Sequence, residues 1–507
     1  MHHSFIRWQL FCSVVCIIGA LFGPMTADSA IQAASKHTGL AHFVSLQNQG
    51  RGVLRGELVS TSPAQAGLRA MNRRLCFAED HEAEGRKAES CNEMSQSKAQ
   101  KQAISPSIDQ VSQQVLLNMH LNGWNPNAQF RSITTGGLFV NWNMLNPQQT
   151  NILGSGSQNP PGCNTTPLPP DCPNPQAVQD PQTALYYLNA LAEYTSLHPQ
   201  DHSYDADLNR MTGLVIYEFA NYNLPKGWIY FYLLRVGQLL QNPVLSDEAY
   251  QVAYNYYAHW YDPQLGLIYN PTHASGIIGS YTTEHSIMAG AALINAGTRW
   301  HQPAWVQAGQ STLDHVLTAA YNPSYNLLYH DMTVASDGTQ YIANAQAKPD
   351  SQGSIAEALL DAYVQTSNTR YLNMAHQILQ SLLVTSGLWD QTNGGLFFAL
   401  DMNTGSLSRS YKETRSQAHV LIALTHYNRV LQLAGQAPQF MDKEQQLISL
   451  LTYKFYQSTY SGYFYRVTPT FSPYVTSAGL VETYFTSEAM GIALDALQQT
   501  ELPSISF

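Results

Sequence analysis

From about residue 105 to residue 500, apolar side chains recur at helical spacing, and the helices they predict are separated by a repeated aromatic phrase. The phrase reads Gly137-Leu138-Phe139-Val140, then Gly266-Leu267-Ile268-Tyr269, then Asn326-Leu327-Leu328-Tyr329. It returns as Gly395-Leu396-Phe397-Phe398 and Gly462-Tyr463-Phe464-Tyr465. Several copies follow a polar turn, as in Tyr261-Asp262-Pro263, Tyr321-Asn322-Pro323 and Trp389-Asp390-Gln391. A residue that tolerates a tight reversal, followed by apolar alternation, predicts a short strand-like loop hairpin. Such self-similarity, at a period of roughly 60 to 70 residues, marks a repeat architecture.

Each phrase falls between two amphipathic helices. Residues 304–320 carry one helical face before the third copy, and Ile355, Ala358, Leu359, Ala362 and Tyr363 form one after it. Residues 288–296, 418–424 and 489–497 are rich in alanine and apolar almost all round, the pattern of a helix buried on more than one side. Two layers follow. Inner helices are expected to start near Gln182, Gly227, Thr283, Gln352, Glu413 and Glu482, with outer partners near Ser107, Asp205, Asp247, Pro303, Arg370 and Gln439. The second hairpin lacks the phrase and turns through Asn223-Leu224-Pro225. An open solenoid would share this pattern, but a count that stops at six predicts an all-α, closed (α/α)6 barrel over residues 105–507, with strand-like hairpins in its loops.

The rest of the chain modifies this picture at its edges. His2, His3 and Arg7 precede an apolar run and then small residues, which predicts a signal peptide over residues 1–30 with Ala27, Ala30 or Ala33 closing the cleavage site. Export places the protein outside the cytoplasm, or at the cell surface if the segment stays as an anchor, with no other membrane-spanning stretch. Residues 31–104 read as a polar linker or loosely ordered extension, and residues 146–181 as a long Pro/Asn/Gly-rich loop with a glycosylation sequon at Asn164. Outside the leader, Cys76, Cys91, Cys163 and Cys172 remain; spacing suggests Cys76–Cys91 and Cys163–Cys172, one of three possible connectivities. Their spacing is not that of a zinc site, and no metal or cofactor is expected. A formal charge of -10 and a charged fraction of 12% provide no basic face for nucleic acid, and a monomer is expected.

The segment from Ala356-Glu357-Ala358-Leu359-Leu360-Asp361 through Thr369-Arg370-Tyr371-Leu372, with Leu388-Trp389-Asp390, Gly394-Gly395-Leu396-Phe397, Leu400-Asp401 and Gly405, resembles the six-hairpin glycosidase-like superfamily. It is similar to N-acylglucosamine 2-epimerase-like proteins and to glycoside hydrolase family 76 mannanases. The resemblance covers roughly residues 182–500 and implies an (α/α)6 barrel with carbohydrate bound over the N-terminal ends of the inner helices. It departs from both patterns. His285 takes the place of the epimerases' catalytic His, but Met288 stands where their Glu belongs, and the barrel has no adjacent Asp-Asp pair.

The loops entering the inner helices then offer Glu284, His285, His330, Asp331, Asp350, Asp401, Glu413, Arg415 and Glu482. Glycoside hydrolysis needs a proton donor and a second carboxylate across the scissile bond, so Glu284, Asp350, Glu413 and Glu482 are the catalytic candidates, with His285 beside them. Acidic residues also favour helix N-termini for the dipole alone, which is the plain alternative for Glu284, Glu413 and Glu482. Tyr281, Tyr411, Tyr474, Tyr484 and Trp142 are candidates to stack on sugar rings, and Arg415 to bind a hydroxyl or carboxylate. No HExxH, P-loop, Rossmann or nucleophile-elbow motif is present in its required context. These residues predict a secreted glycoside hydrolase acting on a poly- or oligosaccharide; the alternatives are a sugar epimerase or lyase using His285, or a non-catalytic glycan-binding barrel.

Overall fold

In a computed structural model, the structure describes residues 106–502 except 131–132, 149, 151–180, 221–223, 275, 477–478 and 480. The expected signal peptide, the linker at 31–104, most of the 146–181 loop and all four cysteines, Cys76, Cys91, Cys163 and Cys172, lie outside the described residues.

Twelve α-helices occur among the described residues: α1 Ile108–Asn122, α2 Pro181–Leu197, α3 Asp205–Phe219, α4 Trp228–Leu239, α5 Pro243–Asn255 and α6 Thr283–Arg299. They continue as α7 Pro303–Ala319, α8 Pro349–Thr366, α9 Thr369–Gln380, α10 Thr414–Leu433, α11 Met441–Tyr453 and α12 Ser487–Glu501. The even-numbered helices pack in the cyclic order α2, α4, α6, α8, α10, α12 and back to α2, so the inner ring is closed. The outer helices lie against it, α5 on α4, α7 on α6, α9 on α8 and α11 on α10. The expected all-α, (α/α)6 barrel is therefore the observed fold. None of these helices is long and apolar enough to cross a membrane.

The alanine- and glycine-rich inner sequences are what let six helices close so small a ring. A Cβ at Gly353 of α8 would sit 2.8 Å from the backbone of His419 on α10, and one at Gly491 of α12 would sit 2.7 Å from Cβ of Tyr186 on α2. Contacts that short are repulsive, so larger residues at these two positions would pry the ring open.

The repeated phrases form the short hairpins the sequence predicts, with the same register each time: Tyr261 opposite Ile268, Tyr321 opposite Leu328 and Tyr456 opposite Tyr463. Inner-helix side chains latch them down. The Gln352 amide accepts from Leu328 N–H at 3.0 Å and donates to its carbonyl at 2.8 Å. Gln417 does the same for Leu396 at 2.8 and 3.0 Å, and Ser286 Oγ donates to the Ile268 carbonyl at 2.7 Å. Buried amides that satisfy exposed hairpin backbone fix the loops above the helix ends.

Three helix starts differ from expectation, each through a local cap. Asn242 accepts from Val244 N–H with Pro243 at the first helical position, so α5 begins four residues before Asp247. Pro349 likewise opens α8 three residues before Gln352, which moves Asp350 from the entering loop into the first turn. The last inner helix begins at Ser487, not near Glu482, because Tyr484–Thr486 is a strand paired with Asn141–Asn143 and Thr486 caps Ala489 N–H. Aromatic and β-branched residues at that spot favour the strand.

Candidate active site

The N-terminal ends of all six inner helices surround one cavity of about 290 Å³. Its upper wall carries Glu284 and His285 from the first turn of α6, Asp350 and Ser351 from α8, Arg415 and His419 from α10, and Glu488 from α12. Its floor is built by Arg235 of α4, Glu357 of α8 and Asp495 of α12. Tyr186 and Trp228 stack with ring centroids 5.0 Å apart on the α2–α4 side, where they line the cavity as well.

Arg415 organises the upper wall. One guanidinium nitrogen lies 2.6 Å from Asp350 Oδ2 and the other 3.0 Å from Glu488 Oε1. Burial opposes charge on Asp350, but Arg415, with His419, the Ser351 N–H and Lys348, holds its carboxyl below the usual range. Asp350 is thus an anion at neutral pH. Its Oδ1 is buried and has no hydrogen-bond partner among the described residues. Glu413 sits behind the same arginine, its Oε2 3.9 Å from Arg415, and does not line the cavity. Burial pushes Glu413 up to about 7, with Asp350 and Glu488 adding to the rise against Arg415 and Arg466. One arginine therefore faces a charged Asp350 and a Glu413 that still holds a proton about half the time at pH 7.

The floor is a second buried network. Arg235 lies 3.0 Å from Asp495, 3.4 Å from Glu357 and 3.5 Å from Glu193. Burial raises Glu357 to about 7 despite Arg235, with Asp495 and Asp361 contributing. On the wall, burial lowers the pKa of both His285 and His419, leaving neutral imidazoles at pH 7. His419 Nδ1 is 3.1 Å from Ser354 Oγ, which fixes its ring. His285 has no hydrogen-bond partner among the described residues.

The structure brings Glu284, His285, His330, Asp350 and Arg415 into one cavity, and the remaining candidates do not line it. Glu482 is removed from the cavity and held by Arg466, whose Nε donates to Oε2 at 3.0 Å; this follows from the displaced helix start. Trp142 is a correction. It is fully buried, donates from Nε1 to Asn118 Oδ1 at 3.2 Å and meets Phe485 edge-on, so it cannot stack on a sugar. Tyr484 is buried too, beside Tyr465. Tyr411 and Tyr474 do come together, 5.0 Å apart, with Phe398 at 4.6 Å from Tyr411 and Arg466 over both tyrosines. Lys348 links this half-exposed aromatic cluster to the cavity it lines, its Nζ 5.6 Å from the Phe398 ring. Tyr281 is buried, with its hydroxyl bonded to Gln340. Asp401 caps its own turn, accepting from Asn403 and Thr404 N–H.

Sequence reasoning missed Glu488, His419 and the Arg235–Glu357–Asp495 floor. Glu488 was legible as an acid in the first turn of a helix, once the start of that helix was placed correctly. The floor residues come from turns deep inside the ring, and no motif spacing ties Arg235 to Asp495.

No family model and no curated protein matches the sequence. Solved structures share the fold at low identity. An unsaturated glucuronyl hydrolase specific for heparin aligns with a TM-score of 0.57 at 12% identity, over 78% of this chain and 96% of that one. Cellobiose 2-epimerase from Bacillus thermoamylovorans B4167 gives 0.53 at 10% identity, over 77% and 98%. A family 76 glycoside hydrolase from a bovine Bacteroides thetaiotaomicron strain gives 0.52 at 10% identity, over 78% of each chain. The chain shares the (α/α)6 barrel fold of these structures.

Proposed function

We propose that the protein is an exported carbohydrate-active enzyme, a glycoside hydrolase in which Asp350 and Glu284 act across the bound glycosidic linkage. The observation that carries this reading is Asp350: an anion at the cavity wall, charge-balanced by Arg415 through Oδ2, with its other oxygen buried and unpaired. A desolvated, ionised carboxylate of that kind is what a general base or nucleophile requires. Asp350 takes a proton from water as the water oxygen bonds to the anomeric carbon. The bond to the leaving oxygen breaks, and that oxygen takes the proton of Glu284. Arg415 and Glu488 keep Asp350 oriented, and the Tyr186–Trp228 stack and the Tyr411–Tyr474 cluster offer ring surface to sugar faces. Export is supported by the basic, apolar and small-residue order of residues 1–30.

A second reading, epimerisation or elimination with His285 as base, draws on the neutral imidazole at the cavity wall. The two differ in products. The test is a screen of poly- and oligosaccharides for new reducing ends, isomerised sugars and unsaturated sugars, with Glu284→Gln alongside the wild type. Reducing ends that fall by about a hundredfold or more in Glu284→Gln support hydrolysis. Isomerised or unsaturated products instead would replace it with the His285 reading, and binding without any turnover would leave a non-catalytic glycan-binding barrel.

A further inference from the structure

A second cavity, of about 380 Å³, adjoins the first. The two share Lys226, Thr282 and His285. Its wall is a four-stranded antiparallel sheet that the loops entering α6 and α8 build together. The sheet comprises β1 Asn270–Ala274, β2 Ile277–Thr282, β3 Asp331–Ala335 and β4 Gln340–Asn344, in the order β4-β3-β2-β1. We infer that this side cavity is a second saccharide subsite, so that the enzyme takes an oligosaccharide whose reacting linkage lies over the Lys226–Thr282–His285 junction.

The inference rests on reading the main cavity as a carbohydrate site and adds to it the length of the substrate. Each cavity alone lies near the small end of the range of roughly 300 to 1,000 Å³ for ligand pockets, and the two meet at three shared lining residues. Glu284, the proposed proton donor, stands next to His285 at the junction, where the leaving oxygen would be if one sugar filled each compartment. At that junction, neither the Lys226 ammonium nor the His285 imidazole has a hydrogen-bond or ion-pair partner among the described residues. Three N–H donors on the one and a donor–acceptor pair on the other suit sugar hydroxyls on both sides of a linkage.

The remaining lining residues are set up as walls. Asp331 has both oxygens engaged, one accepting from Thr282 Oγ1 at 3.0 Å and the other from Asn344 Nδ2 at 3.2 Å. The Tyr269 hydroxyl donates to Asp262 at 3.2 Å, and that of Tyr281 is bonded to Gln340. Both tyrosines are buried with their hydroxyls committed, so they form fixed wall and leave hydrogen bonding to a ligand to Lys226 and His285. Exposed Ser280 on β2 and Ala343 on β4 line the cavity without supporting the core.

Calorimetry on the full chain tests this with three matched pairs: glucose and cellobiose, mannose and α-1,6-mannobiose, glucuronic acid and a heparin-derived disaccharide. At least one disaccharide is expected to bind about tenfold or more tightly than its monosaccharide. Ser280→Trp, which fills the side cavity from an exposed strand position, is expected to erase that advantage while monosaccharide affinity stays within about twofold. Ala343→Trp, on another strand of the sheet, should repeat the result and guards against misfolding of one variant. Equal affinity for both members of every pair, or a disaccharide advantage that survives both tryptophans, would overturn the subsite while leaving the carbohydrate reading intact. No binding of any of the six would instead overturn the carbohydrate reading, and the subsite with it.

Discussion

Glu413 gives the sharpest stability prediction because its carboxyl is buried with almost no compensation. It is 3% exposed, its Oε2 has no hydrogen-bond partner among the described residues, and Arg415 stands 3.9 Å away. Burial raises its pKa from 4.5 to about 7. A carboxyl whose pKa is higher folded than unfolded binds more protons in the native state, so stability falls as pH rises between the two values. The slope is about 1.4 kcal/mol per pH unit, which accumulates to about 3 kcal/mol by pH 8. Glu413→Gln keeps the shape and removes the titration. Urea unfolding of both proteins at pH 5, 6, 7 and 8 reads out this group together with its coupling to Asp350 and Glu488, because the titrations of groups that do not interact with it cancel in the difference. Near pH 5 the two should match; by pH 8 the glutamine variant should be more stable by on the order of 3 kcal/mol. A difference that does not change with pH, or a variant less stable at pH 8, would refute the idea that Glu413 is a proton-holding partner behind Arg415.

Three further outcomes follow from the same geometry. Arg415→Met leaves Asp350 buried without its cation; it should cost about 3 kcal/mol in unfolding free energy and move the acid limb of the activity–pH profile upward by about one pH unit or more. A profile with an unmoved acid limb would argue that Arg415 does not set the charge of Asp350. Gln417→Leu strips two hydrogen bonds from the backbone of Leu396 and should destabilise the chain by about 2 kcal/mol, with hydrogen exchange of the Leu396 amide accelerating. Trp142→Phe should cost about 1 kcal/mol through the lost bond to Asn118 and leave saccharide affinity unchanged; a lowered affinity would reopen its role in binding.

The barrel was legible because helical periodicity and the recurring phrase report local structure directly. Gly266-Leu267 and Asn326-Leu327 announce a reversal, and the structure has both Gly266 and Asn326 at positive φ. What the sequence showed of the site was limited to acids, histidines and an arginine at helix starts or in the loops entering them: Glu284, His285, His330, Asp350 and Arg415. The errors arose where tertiary pairing overrode the local reading. Tyr484–Thr486 became a strand because Asn141–Asn143 lies beside it, and this carried Glu482 out of the cavity and brought Glu488 in. Trp142 resembles a loop aromatic in sequence, yet the same strand pair buries it. The floor was invisible for a different reason. Arg235 and Asp495 meet only because the ring closes, and closure is a property of the whole chain.

The central claim is that Asp350 activates water in the main cavity, and a comparison of Asp350→Asn with Glu482→Gln tests it most directly. Both residues were candidates on sequence, but only Asp350 lines the cavity. On the best saccharide found for the wild type, release of reducing ends should fall by about a thousandfold in Asp350→Asn, with binding retained. Glu482→Gln should stay within about tenfold of wild type. Full activity in Asp350→Asn, or an equal loss in both variants, would contradict the account.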